Sequence, residues 1–156
     1  MKQSIHTLFS MHGEALCSAA TEAKEAEALI DEISPLIEAY TSVVCPHCSD
    51  VCCIDRHSRF DQSDMIFMAA RGNDLPEDDA VVPDTAPCKF LGKMGCTLRR
   101  TLRPYRCTWF FCSPLLDHII HATSASEYRK FMKLLEDISV HRTAMIAAYE
   151  AASSDL

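Results

Sequence analysis

Eight of the nine cysteines fall in two batches of four, with no cysteine in the link between them. The first batch is Cys45-Pro-His-Cys48 followed by Cys52 and Cys53; the second is Cys88, Cys96, Cys107 and Cys112. Thiolate is the soft ligand that suits zinc and iron–sulfur clusters, and zinc takes four such ligands tetrahedrally at about 2.3 Å. A Cys-x2-Cys pair turns the chain so that two sulfurs converge on one ion. The spacing therefore predicts that Cys45, Cys48, Cys52, Cys53, Cys88, Cys96, Cys107 and Cys112 hold zinc or an iron–sulfur cluster. The neighbours Cys52 and Cys53 are the awkward members, because successive side chains point to opposite faces of an extended chain and diverge by about 100° in a helix. One of them completes the site begun by Cys45 and Cys48, while the other serves a second site, a polynuclear cluster or the core. Eight thiols suffice for two four-cysteine sites or for one cluster with spare thiols.

Charge is distributed to match. The chain carries a net −7, which disfavours a general nucleic-acid binder. Between Cys88 and Cys107, however, stand Lys89, Lys93, Arg99, Arg100, Arg103 and Arg106 and no acid. A four-thiolate zinc site has a formal charge near −2, so guanidiniums beside it stabilise it and can donate hydrogen bonds to sulfur. Arg103 and Arg106 are expected to flank the centre most closely. The competing readings of this tract are an exposed basic face or a patch for phosphate or nucleic acid. Among the histidines, His47 is the natural substitute ligand, while His57, His118 and His121 read as ordinary surface or core groups. No Gly-rich phosphate loop, Ser-His-Asp order or HExxH motif is present.

The elements that must position these residues are helices. Apolar residues from Ile5 to Tyr40 recur at three- and four-residue steps, predicting helix over residues 4 to about 42, with Gly13 and Ser34-Pro35 as its weak points. Cys17 lies in this region and is expected in the core. Residues 60 to 72 predict a short helix capped by Asp61 or Ser63 and stopped by Gly72, followed by a solvated acidic link to Pro87. Residues 88 to 98 predict a tight hairpin turning between Gly92 and Gly95. The run Trp109-Phe110-Phe111 is expected in the core. Ser124-x-x-Glu127 opens a second long helix over about 125 to 151. The expected fold is mainly α: two long flanking helices packed around a small irregular cysteine-rich module, residues 45–112, within a single domain over 1–156. No apolar run approaches the roughly 20 residues of a bilayer span, and no basic-then-apolar leader opens the chain. The expected address is the cytoplasm, where thiols stay reduced and clustered cysteines serve metals rather than disulfides.

The order Cys45-x2-Cys48, Cys52-Cys53, Cys88-x-Phe90-Leu91, Gly95-Cys96 and Arg103-Pro104-x2-Cys107 resembles the zinc- or iron-chelating proteins with a CxxCxxCC signature, the YkgJ-like group. Here three residues, Ser49-Asp50-Val51, precede the cysteine pair where the signature has two, and Leu98-Arg99 stands near a tyrosine-like position of the family. The resemblance covers about residues 45 to 112 and implies metal or cluster binding, with a structural, metal-handling or redox role. One related branch looks like flagellin lysine methylases. An enzyme using the metal or cluster near Arg103 and Trp109, and a zinc-stabilised module that docks protein or nucleic acid, are the alternative functions.

Overall fold

The computed structural model describes residues 2–76 and 82–154, with no account of the side chains of residues 2–4. Residues 77–81 of the acidic link lie outside the described residues, so its expected character is open there. The fold is mainly helical with one short hairpin. Helices α1 (Lys2–Met11) and α2 (Cys17–Val44) are followed by α3 (Gln62–Ala70), the strands β1 (Leu91–Gly92) and β2 (Gly95–Cys96), the one-turn helix α4 (Arg106–Trp109), and then α5 (Ser113–Ala122) and α6 (Ala125–Ser153). Among the described residues no helix is long and apolar enough to cross a membrane.

The principal packing is α2 against α6. Glu22 of α2 meets His141 of α6 at 2.7 Å, and Tyr40 meets Phe131 edge-on at 5.8 Å, so the two helices run antiparallel. The buried residues of α2 are Ala19, Ala23, Ala26, Ile30, Ile33 and Ile37, an alternation of fours and threes that forms one continuous stripe. Its alanine half lets the partner helix approach closely, and its isoleucine half, nearer the cysteines, fills volume. The facing stripe of α6 is Phe131, Leu134, Ile138, Met145 and Tyr149. The Ser124–Glu127 capping box that opens α6 is formed as expected.

The first helical region breaks at Gly13 and not at Pro35. Helix α2 runs through Pro35 because that residue is on the exposed side, between the buried Ile33 and Ile37, where the carbonyl it deprives of a partner can bond to water. Cys17 is exposed rather than in the core. It follows Leu16 and is rotated by about 100° off the buried stripe that Leu16 and Ala19 begin. Trp109 is also 45% exposed; only Phe111 of the aromatic run packs on the core, 5.7 Å from Phe131. Helix α5, for which the sequence pattern assigned no element, starts with Pro114 in its first turn, a position where proline costs no hydrogen bond.

A buried ion pair ties the smaller helices to this frame. Asp64 of α3 accepts hydrogen bonds from Arg142 of α6 at 2.8 Å and from the Tyr105 backbone N–H at 3.0 Å. The Arg142 guanidinium lies over the Phe67 and Tyr105 rings at 4.7 and 4.5 Å. Burial lifts the Asp64 carboxyl above its usual range against the pull of Arg142, and burial lowers Arg142. Asp64 also closes the capping box with Asp61 at the start of α3. Replacing Asp64 by Ala strands a buried guanidinium, and the expected loss is about 3–5 kcal/mol in urea unfolding of the metal-free protein. The double variant Asp64→Leu, Arg142→Met should recover much of it, and an unchanged midpoint in the single variant would contradict this role.

Candidate metal centre

Helix α2 delivers the first two thiols. The Cys45 N–H closes the last turn on Thr41, Pro46 opens a 3-10 turn over Cys45–His47, and the Cys48 N–H bonds to the Cys45 carbonyl at 3.2 Å. Cys48 donates its thiol hydrogen to the Asp50 carbonyl at 3.2 Å. The chain then passes Cys52 and Cys53 and is clipped to the far end of the acidic link. Ile54 bridges Pro87 antiparallel, the Asp55 N–H donates to Ala86, and the Arg56 N–H donates to Asp84. The buried Asp55 and the more exposed Asp84 both hold Arg59, which reinforces the clip. Its consequence is that the Cys88 N–H donates to the Cys53 carbonyl at 2.8 Å, setting the start of the second batch beside the end of the first.

The hairpin follows at once, pairing Leu91 with Cys96 and Gly92 with Gly95 across the two-residue turn Lys93-Met94. Gly95 has φ +116°, a conformation side chains disfavour, and a Cβ on Gly92 would sit 3.1 Å from the Thr97 side chain. Cys107 is carried by α4. Cys112 is the N-cap of α5, where the positive end of the helix dipole favours negative charge. His57 fixes the middle of the module: its Nδ1–H donates to the Cys52 carbonyl at 2.9 Å, and its Nε2 accepts from Arg56 at 3.2 Å.

All eight of these cysteines line one cavity of about 300 Å3, together with Arg100, Arg103, Arg106, Glu38 and His57. The expected gathering of the two batches is therefore present. His47, the expected substitute ligand, is exposed and absent from the lining; His118 packs edge-on against Tyr40 and His121 bonds to the Asp117 carbonyl, as ordinary groups do. Among the described residues, no group of three or more His, Cys, Asp or Glu side chains could hold a metal ion as it stands. The thiols share a wall without converging on a point.

The thiols feel one another. Burial pushes Cys45 up, helped by Cys52, Cys112, Cys48 and Glu38. Burial, with Cys96 and Cys88 beside it, pushes Cys107 up to about 11, against the pull of Arg103 and Arg100. The Cys53 thiol beside it raises Cys52, and Cys52 in turn lowers Cys53. The backbone through Cys52 and Cys53 is neither helix nor paired strand. Coordination at neutral pH would expel protons from Cys45 and Cys107, so metal affinity would rise with pH.

Within the basic tract Arg100 and Arg103 turn inward, while Lys93 and Arg99 are exposed. The Arg100 and Arg103 side chains are 2% and 10% exposed, and both donate to the Glu38 carboxylate, at 2.7 and 2.9 Å. Arg100 also donates to the Cys107 carbonyl at 2.6 Å, and Arg103 to the Leu98 carbonyl at 2.8 Å. Burial lowers Arg100, with Arg103 adding to the effect and Glu38 opposing it. Arg106 stacks over Phe110 at 4.5 Å and Trp109 at 5.6 Å. Arg103 and Arg106 thus flank the cavity as expected, and Arg100, the most deeply set of the three, joins them. The signal for Arg100 was its spacing, since arginines at every third residue share one face of a chain that starts as a 3-10 turn. Of the tract, Arg99 is the arginine that turns outward, toward Asp31 at 3.6 Å.

Comparison of the chain with known protein families, curated proteins and solved structures finds no match. The site is therefore read from its own residues. Glu38→Gln keeps the side-chain shape but leaves two inward guanidiniums without their shared charge. It should lower stability by about 1–3 kcal/mol, measured by chemical unfolding of the reduced, metal-free chain. An unchanged unfolding midpoint would show that Glu38 does not hold the two arginines in place.

Proposed function

We propose that this protein binds metal through its clustered thiolates, as zinc or as an iron–sulfur cluster, within the reducing cytoplasm, and so acts in the manner of the cysteine-cluster group it resembles. Its role is structural, metal-handling or redox. The observation that carries the reading is the meeting of both cysteine batches around a single cavity whose wall also holds three arginines. Cysteines used only as small hydrophobes have no reason to collect beside guanidiniums, and a buried cation of this kind calls for an anionic neighbour beyond the single carboxylate of Glu38. The thiolates would supply that charge. Cys45, Cys48, Cys52, Cys53, Cys88, Cys96, Cys107 and Cys112 are the candidate ligands, and turning their side chains inward about the Cα–Cβ bond is the movement that ligation would require.

Elemental analysis with visible absorption on anaerobically purified protein tests this directly. Brown protein containing iron and sulfide identifies a cluster, and colourless protein with stoichiometric zinc identifies the ion. Cys48→Ala and Cys107→Ala should each lose bound metal. Cys17→Ala should keep it and change stability by less than about 0.5 kcal/mol, because that side chain is exposed. Folded wild-type protein free of metal would overturn the proposal.

A further inference from the structure

The clip that joins the two batches sets one cysteine of each directly opposite the other. Ile54 bridges Pro87 antiparallel; on one flank the Asp55 N–H donates to Ala86, and on the other the Cys88 N–H donates to the Cys53 carbonyl at 2.8 Å. Cys53 and Cys88 are thus a hydrogen-bonded cross-strand pair, a position that puts Cα atoms about 5.5 Å apart and side chains on one face. A disulfide spans Cα atoms roughly 4.4–6.8 Å apart. Both cysteines line the cavity, and both thiols are free, Cys53 exposed and Cys88 half-buried. Among the described residues no other backbone hydrogen bond joins a cysteine of the first batch to one of the second. The competing pairs are less well placed. Cys52 and Cys53 are neighbours across a trans peptide, which holds Cα atoms only about 3.8 Å apart. In the Cys45–Cys48 turn, the Cys48 thiol is committed to the Asp50 carbonyl.

We propose that Cys53 and Cys88 form a redox pair whose disulfide is closed by hydrogen peroxide and reopened by a thiol reductant. The exposed Cys53, as thiolate, attacks one peroxide oxygen; the O–O bond breaks, leaving a sulfenic acid, and the hydroxide released takes up the Cys53 proton as water. The Cys88 thiolate then attacks the Cys53 sulfur, the S–O bond breaks, and the departing hydroxide takes up the Cys88 proton as a second water. Two electrons pass from the two sulfurs to one peroxide molecule. A cross-strand pair of this kind is wider at its Cβ atoms than a disulfide prefers, so the closed bond is strained and readily reduced, which suits a reversible switch rather than a structural cross-link. Closure makes the clip covalent and withdraws two of the eight candidate ligands. That last consequence rests on the metal-binding reading above; the disulfide itself does not.

The pairing is read by treating full-length, reduced, metal-free protein with one equivalent of hydrogen peroxide, alkylating it, and digesting it with trypsin under denaturing conditions. Cys88 is the one cysteine of tryptic residues 72–89, and Cys45, Cys48, Cys52 and Cys53 fall together in residues 25–56. The expected main product joins these two peptides, with fragmentation placing the link at Cys53, and excess reduced glutathione restores both thiols. Cys17→Ser should give the same product. The same treatment in concentrated urea, where the clip is lost, should scatter the links among the cysteines. A main product from another pair, or one distribution for native and unfolded chain alike, would overturn the proposal, and a link that resists glutathione would overturn its reversibility. Zinc uptake tests the consequence separately: the oxidised protein should take up less zinc than the reduced. Equal uptake by both would overturn the consequence and leave the disulfide standing, whereas no uptake by the reduced protein would overturn the metal-binding reading instead.

Discussion

A guanidinium fixed between α2 and a carbonyl of α4 holds the two cysteine batches against each other. Arg100 donates at once to Glu38, about two helical turns before Cys45, and to the carbonyl of Cys107. Arg103 shares the same carboxylate oxygen. The first batch is continuous with α2, while the second runs from Cys88 through the hairpin and α4 to the N-cap of α5, so this crossing works with the Ile54–Pro87 clip to join them. The arrangement has a cost. Two cations are drawn out of water, and a single half-exposed carboxylate repays only part of their desolvation. Under the proposed metal binding, thiolates in the same wall would supply further negative charge, and the demands of fold and chemistry would coincide at one place.

The helical frame explains why so irregular a module can be held in position. From the clip to Cys112 the module has little regular structure besides a hairpin of two-residue strands and one-turn helices. Its position is inherited from α2, α5 and α6. The isoleucine half of the α2 stripe ends at Ile37, just before Glu38 and Cys45, and Phe111 presses on Phe131 next to Cys112. The Asp64–Arg142 pair performs the same service from the other side by gripping the Tyr105 backbone two residues before Cys107. Rigid helices thus fix both approaches to the cavity, which suits a site whose ligands come from distant parts of the chain.

Legibility in the sequence followed the physics of each feature. The long helices, the Ser124–Glu127 and Asp61 caps and the glycine-bounded hairpin were readable because each depends on local spacing or on one residue's conformational range. The gathering of the cysteines was readable as a pattern of residue types. What could not be read was direction. Periodicity placed Cys17 and Trp109 near apolar neighbours but not on which side of the stripe they fell. The inward turn of Arg100 and Arg103 depends on Glu38, more than sixty positions earlier, a tertiary pairing that no local rule contains. Pro35 shows the opposite failure: it looks like a breaker, yet it sits on a solvated face, where the missing N–H matters little.

The atoms that would surround a bound metal decide between thiolate coordination and its alternatives. X-ray absorption at the edge of whichever metal the anaerobically purified protein carries would read the ligand atoms directly. An all-sulfur first shell near about 2.3 Å is the expected result. A shell dominated by nitrogen or oxygen would contradict thiolate coordination by these cysteines.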